Sequence, residues 1–189
     1  MRIIAGVAKG RSLTTVAGAT RPTSDRAREA LFSSLISEFG DFDSLKFLDL
    51  FAGSGAVGFE ALSRGALLVH AVEKDDAAVK TIRANQEILE RAKPNGKFHL
   101  FAMSAQKFLS NQATNEEYDI IFIDPPYDFG DQGIRELLVS IVENKICRAG
   151  GLIVVERSSK SPAINWPAPL RSLRSKEYGV ATLYYAEMG

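Results

Sequence analysis

The sequence predicts an α/β fold whose mostly parallel sheet ends in an antiparallel hairpin at the C-terminus. Short apolar runs alternate with helical patterns from about residue 45 to residue 156, which is typical of a parallel sheet covered by helices. Two strand-like runs then follow, joined by a tight turn near Tyr178 and Gly179 with no helix between them. A chain of 189 residues has room for one domain with a sizeable core.

The elements are predicted in this order. A helix begins within "RPTSDRAREALFSSLISEF", with Ala30, Leu31, Leu35 and Ile36 facing inward. Strands follow at 46–51, 67–73, 97–102, 118–124 and 150–156. Four helices separate these strands. The first ends at Gly65, the second spans 75–90 with Asp75 as its N-cap, the third passes through Phe108 and Leu109, and the fourth spans 131–145.

The charge of the chain is unevenly distributed. Apolar residues make up 46% and charged residues 24%, and the formal net charge is zero. Residues 1–28 nevertheless carry six basic side chains against one acidic one; the basic residues are Arg2, Lys9, Arg11, Arg21, Arg26 and Arg28. We predict a basic arm or short hairpin over residues 1–20, a domain over residues 21–189, and contacts from the six cations to a polyanion. A merely solvated segment is the alternative.

The sequence points to the cytoplasm. No apolar run approaches the roughly 18 residues that span a bilayer, and the apolar patch at the start is too short for a signal peptide. The single cysteine, Cys147, cannot form an internal disulfide. His70 and His99 have no partners at metal-ligand spacing, so no metal is predicted. A small neutral body with a basic arm is compatible with a monomer.

A glycine-rich loop follows the first strand in "LDLFAGSGAVGFEALSRG", with Gly53, Gly55 and Gly58 in the pattern G-x-G-x-x-G. Glycines without Cβ atoms let a ligand approach the backbone there. Glu73 ends the next strand, where a carboxylate can accept both hydroxyls of a ribose. NAD and S-adenosylmethionine both satisfy these features. Asp49 favours S-adenosylmethionine, because it repels a pyrophosphate and attracts an ammonium, although it could also hydrogen-bond only the loop.

A second motif, "FIDPPY", lies at the carboxyl end of the fourth predicted strand. Two prolines fix the backbone and leave its carbonyls as acceptors. Asp124 adds a carboxylate, and Tyr127 adds a flat face on which a base can stack. Acceptors on Asp124 and Pro125 would favour a tetrahedral exocyclic amine whose lone pair can attack a methyl group. Beside the glycine loop, this motif indicates methyl transfer from S-adenosylmethionine.

Together these motifs resemble the Rossmann-like class I methyltransferases with D-P-P-Y. More narrowly, "MRIIAG", "RPTSDRAREALF", "LDLFAGSGAVGFEALSRGA", "VEKD", "YDIIFIDPPY", "GLIVVE" and "YGVATLYY" resemble the bacterial family that methylates guanine N2 in small-subunit (16S) ribosomal RNA. The resemblance implies a mostly parallel seven-stranded sheet with helices on both faces. It implies catalytic roles for Asp124, Pro125, Pro126 and Tyr127, and cofactor contacts from Asp49, Phe51, Gly53, Gly55, Glu73, Lys74, Ser104, Ala105 and Thr23.

Other functions remain open at this point. An adenine-N6 methyltransferase acting on RNA or DNA also uses D-P-P-Y, although a chain of this length leaves no separate DNA-recognition domain. A nicotinamide-dependent oxidoreductase explains the glycine loop but not D-P-P-Y. A non-catalytic RNA-binding assembly factor would not need Asp124 or Glu73. The expected partner is ribosomal RNA or the assembling small subunit, and the expected cofactor product is S-adenosylhomocysteine.

Overall fold

A computed structural model describes residues 1–16, 25–111, 115–126 and 128–189. The helices within these ranges are α1 (Asp25–Phe39), α2 (Ala56–Ser63), α3 (Asp76–Glu90), α4 (Ala105–Ser110) and α5 (Asp131–Glu143). The strands are β1 (Lys46–Leu50), β2 (Leu68–Glu73), β3 (Lys97–Ala102), β4 (Tyr118–Ile123), β5 (Cys147–Ser158), β6 (Leu170–Tyr178) and β7 (Ala181–Met188). Each predicted strand is confirmed, and β5 is longer than expected.

The seven strands form one sheet in the order β3-β2-β1-β4-β5-β7-β6. Neighbouring strands from β1 to β5 pair in parallel, and β7 pairs antiparallel with both β5 and β6. The chain therefore builds the sheet outward from β1 to β3 and then returns to the other side of β1 with β4. Such a reversal leaves a crevice at the carboxyl ends of the two central strands, where open α/β sheets bind ligands.

The core lies on both faces of this sheet. All six positions of β4 are buried, as expected for a central strand. Helices α1 and α2 cover one face, and α4 and α5 cover the other. The inward face predicted for the first helix is wrong at Ile36, which is 40% exposed. The buried stripe of α1 runs through Ala27, Leu31 and Leu35 at four-residue spacing, and Ile36 lies one position outside it.

The N-terminal segment is a hairpin packed against α2 and α3. An antiparallel bridge joins Arg2 to Ser12, and Ile3, Ala8 and Leu13 are buried beneath it. Two side chains fix its backbone. The Glu60 carboxylate accepts the N–H groups of Ile4 and Ala5. The Asn85 amide accepts the backbone N–H of Thr14 and donates to its backbone carbonyl. Residues 1–16 are therefore packed against α2 and α3, and the division of the chain at residue 20 stays a prediction. Across the described ranges, every helix is too short or too polar to cross a bilayer.

Candidate active site

A pocket opens at the carboxyl ends of β1 and β4. It is lined by Met1, Asp49, Phe51, Ala52, Gly53, Ser54, Ala56, Val57, Phe122 and Asp124. The fold thus brings the glycine loop and the aspartate of D-P-P-Y to one place, although they are about 70 residues apart in the chain. Parallel strands β1 and β4 cause this, because Asp49 pairs with Phe122 in their shared register.

The three glycines of the loop are needed for different reasons. Gly53 and Gly55 have φ values of 57° and 79°, in the left-handed region that glycine adopts without strain. A Cβ on Gly53 would meet no atom within 4 Å, whereas a Cβ on Gly55 would lie 2.5 Å from the Phe59 ring. A Cβ on Gly58 would lie 3.0 Å from Val69. The first glycine therefore leaves open space at the pocket, and the others allow the helix to pack.

Asp49 is buried beneath the loop. Its side chain accepts the N–H of Gly58 at 2.9 Å, in the first turn of α2. Burial, followed by the charges of Asp124 and Glu73, raises the pKa of Asp49 to about 8, although the Gly58 hydrogen bond opposes the shift. The loop-bonding role considered for Asp49 is therefore present in the structure, and the same carboxyl group also lines the pocket.

Glu73 joins the end of β2 to the glycine loop. One carboxylate oxygen accepts the Gly53 N–H at 2.8 Å. The other accepts the N–H groups of Lys74 and Asp75, at 2.8 and 2.9 Å. Glu73 therefore holds the loop in place, a role that the sequence did not reveal, while the predicted ribose contact stays a prediction.

Phe51 holds an unusual backbone conformation at the end of β1. Its φ is 65°, a region that bulky residues rarely occupy. The ring packs edge-on against Phe129, with 5.2 Å between the centroids. Strained residues of this kind cluster at ligand sites. Phe129 was missed by the sequence reasoning, although its place two residues after Tyr127 is a usable signal.

The D-P-P-Y segment begins where β4 ends. The Asp124 N–H donates to the Leu50 carbonyl at 3.4 Å, continuing the β1–β4 pairing. Pro125 is buried and Pro126 is exposed, and the Pro126 carbonyl accepts the N–H of Phe129 at 2.9 Å. Tyr127 lies outside the described residues, as do Arg21 and Thr23.

The remaining predicted cofactor contacts lie at the ends of β2 and β3. The Ser104 hydroxyl is the N-cap of α4, accepting the N–H of Lys107 at 3.2 Å. Its neighbour Ala105 is buried in the core, and Lys74 is exposed. Ser104 therefore already has a structural role, and its predicted contact with the cofactor stays a prediction.

The predicted RNA-binding cations are not equivalent. Arg2, Lys9 and Arg26 are exposed, and the guanidinium of Arg11 reaches the Arg91 carbonyl at 3.4 Å. Arg28 differs from the expectation, because its side chain is 0% exposed and cannot reach a phosphate in this structure.

Arg28 connects α1 to the N-terminal segment inside the protein. It donates to the Arg2 carbonyl at 2.5 Å and pairs with Asp25 at 2.9 Å. Burial lowers its pKa despite the nearby charges of Asp25 and Glu60. Counting charges along the sequence could not distinguish this buried cation from its exposed neighbour Arg26.

Comparison with known proteins identifies the family. A Bacillus subtilis relative, YlbH, is 37% identical over 182 residues that cover 95% of both chains. Ribosomal RNA small subunit methyltransferase D of Haemophilus influenzae is 33% identical over 96% of this chain and 91% of its own length. The Thermus thermophilus protein TTHA0928 has a similar solved structure, with a TM-score of 0.81 and 31% identity over 100% of this chain and 99% of that one. The family described as conserved hypothetical protein 95 matches residues 1–187, and this chain therefore belongs to that family, alongside ribosomal RNA small subunit methyltransferase D.

Proposed function

We propose that this protein transfers a methyl group from S-adenosylmethionine to the exocyclic N2 amine of a guanine in small-subunit (16S) ribosomal RNA. Its family and the names of its relatives support ribosomal RNA methylation. The main structural support for this reaction is that Asp49 and Asp124 line the same pocket, beside an open glycine loop. Ribosomal RNA in the cytoplasm, free or in an assembling small subunit, is the proposed substrate.

The pocket suits a cationic ligand. Asp49 and Asp124 line it, and the charges of Asp124 and Glu73 both raise the pKa of Asp49, which means that the three groups act on one another. A pyrophosphate would meet this negative potential unfavourably, whereas a sulfonium and an ammonium would be stabilised by it. S-adenosylmethionine, when bound, supplies an activated methyl group on its sulfonium.

The proposed cofactor residues divide by position. Asp49 would accept the ammonium, Glu73 would accept the ribose hydroxyls, and the open space at Gly53 would admit the ligand close to the backbone. The other proposed contacts come from Phe51, Gly55, Lys74, Ser104, Ala105 and Thr23. Each of these is a proposal about this chain that binding measurements can test.

Acceptor groups at the end of β4 would act on the target amine. Asp124 and the Pro125 carbonyl would accept its N–H groups, so that the nitrogen lone pair leaves the plane of the base and turns toward the methyl donor. Pro126 would keep this segment rigid, and Tyr127 would stack on the base. The guanine must leave its stack to reach this position, which costs a few kcal/mol. Phosphate contacts from Arg2, Lys9, Arg11, Arg21 and Arg26 would offset that cost.

The alternatives predict different products. An adenine-N6 methyltransferase would use the same acceptors on another base. A nicotinamide oxidoreductase would place a pyrophosphate near Asp49 and Asp124, and an assembly factor would bind RNA without turnover. The family assignment favours methylation over the last two.

A methyl-transfer assay tests the proposal. Isotopically labelled S-adenosylmethionine is incubated with small subunits, and separately with protein-free 16S RNA, from cells that lack the enzyme; the RNA is then resolved to nucleosides. We expect label in N2-methylguanosine with the wild type and none with Asp124→Asn, while both proteins are stabilised by S-adenosylhomocysteine. Label in N6-methyladenosine would establish the alternative base. Stabilisation by NAD alone would overturn the cofactor assignment.

A further inference from the structure

A polar groove outside the pocket runs between α1 and β6. Its volume is about 430 Å³, and it is lined by Ala30, Ser33, Ser34, Ser37, Glu38, Arg174, Lys176 and Tyr178. The α1 wall consists mainly of small side chains, and the β6 wall carries two cations and an aromatic ring. Ser33 and Ser37 are exposed, so their hydroxyl groups are accessible to a ligand in the groove.

The two cations point into the groove and are held there. The Lys176 ammonium lies 3.3 Å from the hydroxyl of buried Ser34. Arg174 pairs with Glu38 at 2.5 Å and lies over the ring of buried Tyr185, 4.6 Å from its centroid. Lysine and arginine on an edge strand commonly face water and prevent the strand from pairing with another chain. Here both side chains instead turn toward the helix.

The groove leads to the edge of the sheet that carries the pocket. Strand β6 runs in the same direction as β5, because both are antiparallel to β7. The carboxyl end of β6 therefore lies at the same sheet edge as those of β1 and β4. Arg174 contacts Glu38 while Lys176 contacts Ser34, so α1 runs opposite to β6 and its N-terminus points toward that edge.

Arg26 is a further cation on α1, at the end that points toward the sheet edge of the pocket. It is exposed in the first turn of α1, four residues before Ala30 and eight before Ser34. Residues four apart share one face of a helix, so Arg26 lies on the same side of α1 as Ala30 and Ser34. The groove itself carries two cations, Lys176 and Arg174, beside the serine hydroxyls of α1 and the Glu38 carboxylate that pairs with Arg174.

We propose that this groove binds the phosphate backbone of the RNA strand that flanks the target guanine. The inference rests on the proposed function and specifies the surface that its substrate uses. Cations that alternate with small hydroxyl side chains suit phosphate oxygens. The serine side chains leave room for a backbone to enter, and a strand bound there would extend toward the sheet edge that carries the pocket.

Binding of unmethylated 16S RNA, measured over a range of salt concentrations, tests the groove. In Arg174→Ala/Lys176→Ala we expect about tenfold weaker binding near 0.15 M salt and a salt slope shallower by about 1.4, as expected when two single-strand phosphate contacts are lost. Ser33→Glu adds a carboxylate at an exposed position without removing a contact in the groove, and should weaken binding to a similar extent.

The matched control is Arg171→Ala, on the same strand. Arg171 is 69% exposed and pairs with Glu187 outside the groove, so RNA affinity should be unchanged. Stabilisation by S-adenosylhomocysteine should be the same in all four proteins, which separates a loss of RNA binding from a loss of folding.

Four outcomes would overturn the proposal. Wild-type RNA affinity in both groove variants would exclude phosphate contacts in the groove. An equal loss of RNA affinity in Arg171→Ala would show that binding depends only on the overall charge of this edge of the sheet. A wild-type dimer that Ser33→Glu dissociates would assign the groove to a second copy of the chain. A wild-type protein that methylates no RNA and binds none would overturn the proposed function together with the groove.

Discussion

Replacing Asp49 by asparagine should stabilise the protein while weakening its cofactor binding. Asparagine keeps an oxygen that can accept the Gly58 N–H and removes a carboxyl group whose ionised form is disfavoured by burial and by Asp124 and Glu73. The pKa of Asp49 rises from 3.8 to about 8 in the folded protein. Folding therefore takes up a proton between these values, and the wild type loses stability as pH rises from about 4 to about 8.

The size of the effect follows from the shift. Each pKa unit corresponds to about 1.4 kcal/mol, so the uptake of a proton by Asp49 on folding costs up to about 4 kcal/mol at pH 7. Because the asparagine amide is itself desolvated, we expect a net gain of about 1–4 kcal/mol. For a chain of this size that raises Tm by at least roughly 2–4 °C.

Thermal unfolding between pH 4 and pH 9 measures this gain. The difference in Tm between Asp49→Asn and the wild type should be small at pH 4, increase to pH 8 and then level off. Asp76→Asn, which removes an exposed carboxylate, is the control and should show little of this increase. Addition of S-adenosylhomocysteine should raise the Tm of the variant less than that of the wild type. A pH-independent difference, or a less stable variant at pH 8, would refute the reasoning.

Other substitutions test individual contacts. Asp124→Ala should abolish turnover while leaving the Kd for S-adenosylhomocysteine within a few-fold, because its proposed partner is the target base; unchanged kcat would contradict this. Glu73→Gln should weaken cofactor binding by roughly 1.5–3 kcal/mol, the worth of charged hydrogen bonds, and calorimetry would expose an unaltered Kd. His70 is buried and bonded to the Tyr118 hydroxyl at 2.6 Å. Burial, and then His99, lowers the pKa of His70 to about 4, so stability should fall as pH drops from 6.5 to 4, and His70→Gln should flatten that part of the Tm–pH curve.

Much of the fold could be predicted because local sequence signals agree with it. The apolar run of β4 is buried along its whole length, and the Asp75 side chain caps α3 by accepting the Ala78 N–H. The turn between β6 and β7 contains Gly179 at a φ of 66°. In each of these places the backbone requirement and the residue type coincide, so a single sequence carries the information.

Other features depend on contacts between distant residues and could not be predicted. Glu60 and Asn85 hold the N-terminal hairpin from helices α2 and α3, and nothing in their immediate sequence marks them. Arg28 is as basic as Arg26 but turns into the protein. The glycine loop and D-P-P-Y could be placed at one sheet edge because each follows a central strand, whereas the loop contacts of Glu73 appear only when the strands are paired.

The ring contact between Phe51 and Phe129 joins the loop that would hold the cofactor to the segment that would hold the base. Each ring belongs to one of these two loops, so a movement of either loop would displace a side chain of the other. Thermodynamic linkage is reciprocal: any increase in affinity for the base caused by the cofactor equals the increase for the cofactor caused by the base. The two rings bring these loops into direct contact at the end of the central strand β1, where Phe51 holds its left-handed backbone conformation.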